Sequence, residues 1–186
     1  MRVIAGTARS LKLVTVDSTD TRPTTDRIKE TLFNMLTPDI PGCMFLDLFS
    51  GSGAIAIEAL SRGAEAAWLV EANPKAISCI ERNLSFTHLD ASAHVVKGDV
   101  ISAIDTIERQ KVVFDIIFMD PPYGRLHEKQ VLTRLSNSPL ADEDTMIIVE
   151  SDLDTVFDYV SDIGFQVSKV KKYKTNKHTF IKRIAE

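Results

Sequence analysis

The apolar run from Val112 to Met119 ends abruptly at Asp120-Pro121-Pro122-Tyr123. A continuous apolar run bounded by breakers is typical of a strand that is buried on both faces of a parallel sheet. In open α/β sheets, ligands bind just beyond the carboxyl ends of the strands. The run therefore predicts a central strand of such a sheet. It also places an acid, two prolines and an aromatic ring where a ligand is expected.

Strand and helix patterns alternate along the chain from residue 42 onward. This alternation predicts an α/β fold with a doubly wound, mostly parallel sheet of seven strands that ends in an antiparallel C-terminal hairpin. The predicted strands are Met44–Leu48, Ala66–Val70, Ala93–Val96, Val112–Met119, Met146–Glu150, Phe165–Tyr173 and Thr179–Ile184. The predicted helices are Gly53–Arg62, Val100–Glu108, His127–Leu135, Asp152–Ile163 and a helix that begins after Asn73.

Residues 1–41 are expected to form a small extension of the same domain. Residues 2–16 alternate apolar and polar side chains around a turn at Gly6, which indicates a hairpin. The stretch from Arg22 to Asp26 offers cap residues beside a proline, and an apolar helical face follows it. We therefore expect a hairpin and a helix ahead of the main domain at residues 42–186.

The composition is that of one globular domain of 186 residues, 44% hydrophobic and 26% charged. No apolar stretch approaches the length of a membrane span, and the N-terminal run is too short for a signal peptide. Cys43 and Cys79 lack metal-ligand spacing, and the four histidines form no ligand pattern, so no metal site is predicted. Free cysteines in apolar settings indicate a reducing compartment, and we expect a cytoplasmic protein.

Basic residues concentrate at the two ends of a chain whose net charge is −4. Residues 1–36 carry six Lys/Arg against four acids, and residues 165–186 carry seven against one, which leaves −12 on the remaining residues. Basic ends on an acidic body favour a polyanionic partner. The alternative is a set of lysines that protect an exposed strand edge, and charge alone favours that alternative.

The segment between the first sheet strand and its helix is rich in glycine. Gly51 and Gly53 allow a tight turn and a close backbone approach to a ligand, with Ser50 beside them. Residues 51–56 also match G-x-G-x-x-A, a weak signature that raises the alternative of a dinucleotide oxidoreductase. Glu71 ends the second strand, where a carboxylate can accept both hydroxyls of a ribose in either kind of cofactor.

Two further acids separate these alternatives. Asp47 precedes the glycines, where it would repel a pyrophosphate but attract the ammonium group of an amino-acid moiety. Asp99 follows the third strand, where it can accept a hydrogen bond from the amino group of an adenine. With Glu71 and Asp120 they place four acids at the ends of four successive strands, although any one of them could instead cap a helix. Such an acidic rim favours a cationic sulfonium cofactor with an α-amino group.

Asp120 and the residues after it suit a flat base with an exocyclic amino group. The Asp120 carboxylate and the free carbonyl of Pro121 can accept the two N–H bonds of that group, and Tyr123 can stack on the base. The alternative is a proline-rich turn with a solvated acid and a half-buried tyrosine. The position of the motif, at the end of a buried strand and in a chain with a glycine loop, favours the functional interpretation.

The chain resembles the Rossmann-like S-adenosylmethionine-dependent methyltransferases, whose order of motifs it reproduces in Leu46–Gly53, Val70-Glu71, Gly98-Asp99 and Asp120–Tyr123. More narrowly, it is similar over nearly its whole length to the bacterial enzymes that methylate N2 of a guanine in 16S ribosomal RNA. The segments that carry this narrower resemblance are Arg2–Gly6 and Arg22–Asn34.

The resemblance implies roles for particular residues and makes residues 42–186 the methyltransferase domain. As catalytic residues that hold the base, it implies Asp120, Pro121 and Tyr123. As residues that bind S-adenosylmethionine, it implies Arg22, Thr24, Asp47, Ser50, Gly51, Gly53, Glu71, Asp99 and Val100.

The resemblance also implies a partner, 16S ribosomal RNA, within the small ribosomal subunit or an assembly intermediate. We expect a monomer without membrane contact. The basic ends supply the candidate RNA-contacting residues Arg2, Arg9, Lys12, Lys171 and Lys172, and Arg125, two residues after Tyr123, is a further candidate. The rival functions are an adenine-N6 methyltransferase, which shares the D-P-P-Y motif, and a non-catalytic RNA-binding protein; the oxidoreductase ranks last.

Overall fold

Seven strands and five α-helices form the part of the chain that this computed structural model describes, residues 1–15, 26–122, 124 and 126–184. None of the helices in these ranges is long and apolar enough to span a membrane. The strands are β1 (Met44–Leu48), β2 (Ala66–Glu71), β3 (Ala93–Lys97), β4 (Ile116–Met119), β5 (Met146–Asp152), β6 (Phe165–Lys172) and β7 (Asn176–Arg183). The helices are α1 (Asp26–Leu36), α2 (Ala54–Ser61), α3 (Pro74–Thr87), α4 (Val100–Glu108) and α5 (His127–Ser136), with short 3-10 helices at Asp90–Ser92 and Asp158–Ile163. Of the residues predicted to be functional, those outside the described residues are Arg22, Thr24, Tyr123 and Arg125.

The strands form one sheet in the order β3-β2-β1-β4-β5-β7-β6. The first five strands pair in parallel, whereas β7 runs antiparallel to both β5 and β6. The predicted doubly wound sheet with an antiparallel end is therefore confirmed. The strand order reverses at β1, which has β2 on one side and β4 on the other. Such a reversal leaves a crevice for ligands at the carboxyl ends of the strands.

Two apolar layers cover the two faces of the sheet, because successive strand residues point to opposite faces. Phe45 and Phe118 lie in the layer formed with α1, α2 and α3, while Leu46 and Ile117 lie in the layer formed with α4 and α5. The eight residues of α2 are all buried, since this helix is covered by the N-terminal segment as well as by the sheet. The carboxyl edge of the sheet is thus bordered by helices on both faces.

The N-terminal segment packs on the face that carries α1, α2 and α3. Val3 and Phe33 are fully buried in the same apolar layer as Phe45. The predicted hairpin is reduced to a single antiparallel bridge between Arg2 and Lys12.

The reason for this reduction lies in the turn between the two bridge residues. The amides of Thr7 and Ala8 donate hydrogen bonds to the carbonyl and hydroxyl of Ser61 at the end of α2, instead of to a facing strand. The Ser61 hydroxyl in turn donates to the Ala5 carbonyl at 2.6 Å. The turn is therefore anchored to a helix, and the pairing of the two arms is confined to the bridge and the backbone hydrogen bonds beside it, which run from Val3 N to Leu11 O, from Ser10 N to Val3 O and from Leu13 N to Met1 O.

A buried glutamate joins the N-terminal segment to the helices of the main domain. Glu58 of α2 is fully buried, and its carboxylate lies 2.9 Å from Lys29 Nζ and 2.7 Å from Arg62 Nε. It also accepts hydrogen bonds from the amides of Ile4 and Ala5. Burial lowers the pKa of Lys29, and the Glu58 charge opposes that shift. Removing one partner from a buried ion pair leaves an uncompensated charge and is strongly destabilising.

The helix predicted from Asp152 to Ile163 is wrong in its first half. β5 continues to Asp152, whose carboxylate accepts hydrogen bonds from the amides of Asp154 and Thr155. Local side-chain bonds of this kind compete with helix formation. Only Asp158–Ile163 is helical, and it forms a 3-10 helix. The fourth strand is also shorter than predicted and begins at Ile116.

Gly6 lies so close to α2 that it has no room for a side chain. Its φ is +83°, and an added Cβ would lie 1.7 Å from the Ser61 carbonyl oxygen. Gly6→Ala should therefore displace the N-terminal turn and cost more than the roughly 1–2 kcal/mol expected for a left-handed alanine. Gly42→Ala is the matched control, because Gly42 has a φ of +77° and open space around it. Thermal unfolding of both variants gives the comparison, and equal losses would contradict the prediction.

Candidate active site

Four acids from four strands point to one face at the carboxyl edge of the sheet. Asp47 lies in β1, Glu71 ends β2, Asp120 follows β4 and Glu150 lies in β5. Because side chains alternate with a period of two, each acid shares the face of the residue two positions before it. Those preceding residues all belong to the apolar layer of α1, α2 and α3: Phe45, Leu69, Phe118 and Ile148. The acids therefore continue that layer toward the ligand-binding edge.

Asp47 is an acid almost wholly removed from water, with 1% of its surface exposed. Its Oδ2 accepts a hydrogen bond of 3.3 Å from the Ala56 amide. Burial raises the pKa of Asp47 to about 8, and the charge of Glu71 contributes to the rise. The free carboxyl group is therefore mostly protonated at neutral pH, and a cation placed beside it would favour the ionised form.

The glycine loop between β1 and α2 is closed by two hydrogen bonds to backbone carbonyls. The Ser50 hydroxyl donates to the Asp47 carbonyl at 2.7 Å, and the Gly53 amide donates to the Ser50 carbonyl at 2.7 Å. Gly53 has a φ of +77°, and a Cβ there would lie 3.0 Å from a methyl group of Leu69. Ser50 thus fixes the turn through its hydroxyl, and Gly53 allows the helix to pack closely on β2.

Glu71 holds this loop to the end of β2. Its Oε2 accepts a hydrogen bond of 2.8 Å from the Gly51 amide. Its Oε1 accepts bonds from the amides of Ala72 and Asn73. The sequence predicted only that Glu71 would bind a ribose. In the structure, Glu71 also positions Gly51.

Asp99 caps α4 with one carboxylate oxygen. Its Oδ1 accepts a hydrogen bond of 3.0 Å from the Ser102 amide, and Val100 begins the helix beside it. Hydrogen bonds from Ser102 lower the pKa of Asp99, because they favour the charged carboxylate. The capping alternative raised by the sequence therefore applies to Asp99, which is also exposed.

A cleft lies beyond the ends of β2 and β3, next to α5. Its lining includes the apolar side chains of Phe49 and Val70 and the acids Glu71 and Asp99. Phe49 has a φ of +66°, which bulky residues rarely adopt, and its ring centroid lies 6.1 Å from that of His127. An apolar slot that carries two carboxylates suits a flat ring attached to a sugar.

Asp120 lies beside Glu150 at the ends of β4 and β5. The two strands pair in register up to Met119 and Val149, so the next residues are neighbours. Asp120 is half-buried. Burial raises the pKa of Asp120 well above its ordinary value, and the charges of Glu150 and Asp47 raise it further. The structure thus brings this predicted catalytic acid close to the predicted ammonium-binding acid.

Of the other two predicted catalytic residues, the structure describes Pro121 but not Tyr123. Pro121 follows Asp120 directly and is buried, and as a proline it has a carbonyl acceptor but no backbone donor. Tyr123 lies outside the described residues, so its stacking role remains a prediction from the sequence.

Glu150 and its partners were missed by the sequence analysis. Glu150 is 3% exposed and receives hydrogen bonds from Asn176 and His178 of β7. His178 also lies within hydrogen-bonding distance of the Tyr173 hydroxyl. One signal was available: Glu150 ends a buried apolar run, as Asp120 does. No local pattern indicated the histidine.

A basic groove lies between the start of α1 and the turn that joins β6 to β7. It is lined by Arg27 and Thr31 on the helix and by Lys171, Lys172 and Lys174 on the hairpin. The two predicted lysines are therefore brought together with an arginine that the sequence analysis did not select. Nothing local in the sequence links α1 to a hairpin at the other end of the chain.

Of the predicted basic residues in the N-terminal segment, only Arg2 is linked to the basic groove. Arg2 Nε lies 3.3 Å from Asp26 Oδ2, one residue before Arg27 of the groove. Arg9 and Lys12 are exposed, but neither occurs among the described residues that line the groove. The structure thus places Arg2 near the groove and leaves Arg9 and Lys12 on the surface of the N-terminal turn.

Asn83 of α3 connects the N-terminal segment to the glycine loop. Its amide group donates to the carbonyls of Val14 and Ser52, both at 2.9 Å, and its Oδ1 accepts from the Val14 amide at 2.8 Å. The side chain is fully buried. The sequence analysis missed this residue, since an asparagine within an amphipathic helix carries no distinguishing pattern.

The fold and the acid-lined edge define a methyltransferase of the Rossmann-like class. The chain belongs to the family described as Conserved hypothetical protein 95, whose family model matches residues 1–182. It is 41% identical over 152 residues to the "Putative rRNA methyltransferase YlbH" of Bacillus subtilis, and the matched region covers 82% of this chain and 83% of that protein. It is 40% identical over 155 residues to Ribosomal RNA small subunit methyltransferase D of Escherichia coli, which covers 83% of this chain and 76% of that protein.

A solved structure agrees over the whole chain. The "Putative methyltransferase yhhF" from Escherichia coli superposes with a TM-score of 0.82 at 31% sequence identity, covering 100% of this chain and 99% of that one. The predicted class of protein and the predicted resemblance are therefore confirmed.

The buried Asp47 should make the protein less stable as the pH rises. In the unfolded chain an aspartate ionises near about pH 4, whereas in the folded protein Asp47 ionises at about 8. Between these values only the unfolded chain readily loses the proton, so the free energy of unfolding falls as the pH rises. Asp47→Asn removes this loss and should raise the free energy of unfolding of the ligand-free protein by an amount that grows from pH 5 to pH 8 and reaches on the order of a few kcal/mol. The rise in Tm at each pH measures this effect.

Asp99→Asn serves as the control for this measurement. The pKa of Asp99 is lowered, so its carboxylate is ionised throughout that range and its replacement should change stability by a constant amount. A difference between wild type and Asp47→Asn that stays constant from pH 5 to pH 8 would contradict the prediction.

Proposed function

We propose that this protein transfers the methyl group of S-adenosylmethionine to the exocyclic N2 amine of a guanine in 16S ribosomal RNA. The observation that carries the proposal is the placement of Asp120 and Pro121 at the carboxyl end of β4, beside the glycine loop and its acids. That arrangement offers one place for a cationic cofactor and an adjoining place for an amine. The named relatives support the class of substrate, because both are named as ribosomal RNA methyltransferases.

The acids of the edge fit the cofactor. The described residues supply Asp47 with an amide donor but with no cation, although it is almost wholly buried. The ammonium group of an amino-acid moiety would provide that cation. Glu71 would then hold the ribose and Asp99 the adenine amine. S-adenosylmethionine supplies, when bound, a methyl group activated by the positive charge of its sulfonium.

The remaining predicted cofactor residues shape or close the site. The glycine loop, which leaves room for the ligand, contributes Ser50, Gly51 and Gly53, and Val100 begins α4 beside the cleft. Arg22 and Thr24 would help to close the site over the cofactor, as the resemblance implies.

The residues after β4 hold the amine. The exocyclic nitrogen of guanine is a poor nucleophile, because its lone pair is delocalised into the ring. Asp120 and the Pro121 carbonyl accept its two hydrogens and favour a pyramidal nitrogen whose lone pair faces the methyl group. Positive charge then develops on the nitrogen, and the Asp120 carboxylate stabilises it. Tyr123 would stack on the base, which requires a base that is exposed or turned out of its stack.

The basic groove is the candidate path for the RNA backbone. Lys171 and Lys172 face Arg27 across it, and Tyr173 of the same groove is hydrogen-bonded to His178, the partner of Glu150. The groove therefore opens on the same edge of the sheet as the acids. We expect a monomer that acts in the bacterial cytoplasm on the small ribosomal subunit or on an assembly intermediate, whose folded shape supplies the target specificity.

Two of the three rival functions are disfavoured by an observation, and the third is left to the experiment. An adenine-N6 methyltransferase would share Asp120–Tyr123, and only the identity of the methylated base distinguishes it. A non-catalytic RNA-binding protein would not need Asp47, a buried acid without a cation among the described residues. A dinucleotide oxidoreductase is disfavoured by the relatives, because both are named as methyltransferases.

The direct test maps methylated bases by mass spectrometry in 16S ribosomal RNA from a deletion strain. Addition of the purified protein and S-adenosylmethionine should restore one N2-methylated guanine. Small subunits and deproteinised RNA should be tested side by side, to decide between the two substrates. Methylation of an adenine would favour the first rival, and binding without methylation would favour the second.

Two substitutions should separate cofactor binding from methyl transfer. Glu71→Ala should weaken binding of S-adenosylmethionine by at least roughly 1.5–3 kcal/mol, the range for hydrogen bonds to a charged group, because it also releases Gly51. Asp120→Ala should lower the rate of transfer with little change in cofactor affinity. Calorimetric titration and single-turnover methylation measure the two effects. An Asp120→Ala protein that loses cofactor affinity as severely as Glu71→Ala would refute the assignment.

Loss of groove lysines should change the salt dependence of RNA binding. Replacing Lys171 and Lys172 with Gln should weaken subunit binding mainly at low salt, and it should reduce the log–log slope by about 0.7–0.9 for each lost phosphate contact. The control replaces Lys111 and Lys182, which lie at the opposite end of the sheet and make the same change in net charge. Equal slopes for both double variants would show that the two lysines only protect a strand edge.

A further inference from the structure

A buried chain of hydrogen bonds runs from the basic groove to the acid beside Asp120. The Tyr173 hydroxyl lies 3.1 Å from His178 Nδ1, and His178 Nε2 lies 3.0 Å from Glu150 Oε2. The Asn176 amide donates to Glu150 Oε1 at 2.5 Å. Glu150 and His178 face each other in register on β5 and β7, and both are almost wholly buried. This series of hydrogen bonds thus links the C-terminal hairpin to the end of the central strands.

An arrangement of protons in which Tyr173 is the donor satisfies these hydrogen bonds. If the Tyr173 hydroxyl donates to His178 Nδ1, the other ring nitrogen carries the hydrogen and donates it to Glu150. Glu150 then accepts a hydrogen bond at each of its two carboxylate oxygens. The described residues give the Asp120 carboxylate no hydrogen-bond donor. Of the two neighbouring acids, Glu150 is therefore the one whose carboxylate is held in place by these donors.

We propose that Glu150, held in place by Asn176 and His178 beside Asp120, prepares Asp120 to accept the proton that the substrate amine loses. The inference rests on the proposed function, in which that amine gains a methyl group. The nitrogen forms one bond to carbon, the carbon–sulfur bond breaks, and the charge of the sulfonium is lost. The proton leaves the nitrogen for the Asp120 carboxylate, which later releases it to solvent. Glu150, His178 and Tyr173 are positioning residues, since they act through Asp120.

Among the described residues, the charges that act on Asp120 come from the strands on both sides of it. Glu150 lies on the β5 side and Asp47 on the β1 side, and both raise the pKa of Asp120. On the helices that cover this face, the buried charges of Lys29 and Glu58 pair with each other. Asp47 loses its effect when a cofactor ammonium pairs with it. Of the two acids that act on Asp120 from the described residues, Glu150 is then the one that still raises its pKa, and a proton acceptor needs a pKa near its working pH.

The test measures the ionisation of Asp120 directly. Protein labelled with ¹³C at the aspartate carboxyl carbons is titrated by NMR, and the Asp120 resonance is assigned by its absence in Asp120→Asn. In Glu150→Gln the midpoint for Asp120 should fall by about one pH unit or more, because a neighbouring like charge has been removed. Tyr173→Phe keeps the ring but no longer fixes the His178 tautomer, and it should give a smaller shift in the same direction. An unchanged midpoint in Glu150→Gln would overturn the inference.

Glu128→Gln is the matched control, because Glu128 is a buried glutamate on α5 that acts on Tyr159 instead. Its replacement should leave the Asp120 midpoint unchanged. The NMR titration requires neither RNA nor S-adenosylmethionine, so its failure is distinguishable from failure of the proposed function. In the methylation assay, the ascending limb of the pH–rate profile should move to lower pH by the same amount in Glu150→Gln. A limb that stays in place while the NMR midpoint moves would rule out Asp120 as the proton acceptor.

Discussion

Carboxylates that are removed from water must lose their charge or find positive partners, and this constraint governs the carboxyl edge of the sheet. Glu58 meets it completely, with Lys29, Arg62 and two backbone amides around one buried carboxylate. Asp47 and Asp120 have no positive partner in the part of the chain that the structure describes, and burial raises the pKa of each. The contrast separates an acid that joins elements of the fold from acids that favour a cationic ligand.

The geometry of the site depends on contacts that reach well beyond the ligand edge. Glu71 holds Gly51, and Asn83 holds both Ser52 of the same loop and Val14 of the N-terminal segment. The N-terminal segment is anchored in turn by Glu58 and by the close contact at Gly6. The loop that would surround the cofactor is therefore supported by the extension at residues 1–15 as well as by the sheet.

Local patterns were sufficient for the strands, the order of the motifs and the acids Asp47, Glu71 and Asp120, because each is encoded within a few consecutive residues. They failed where distant segments decide the outcome. Glu150 and His178 become partners only through antiparallel pairing of β5 and β7, and Arg27 meets the lysines only across the groove. One failure was local: the helix predicted from Asp152 does not begin there, because the Asp152 carboxylate accepts hydrogen bonds from the amides of Asp154 and Thr155. Asp99 proved to be a cap, an alternative that a strand-end acid always leaves open.

β7 lies between β5 and β6 although it is the last strand in the sequence. During synthesis, β1 to β5 emerge first, and the open side of β5 has no final neighbour until residues 176–183 arrive. Glu150 gains His178 and Asn176 only at that late step, so the surroundings of Asp120 are completed last. A chain that is interrupted before β7 leaves Glu150 without Asn176 and His178. The order of synthesis thereby couples completion of the sheet to completion of the candidate active site.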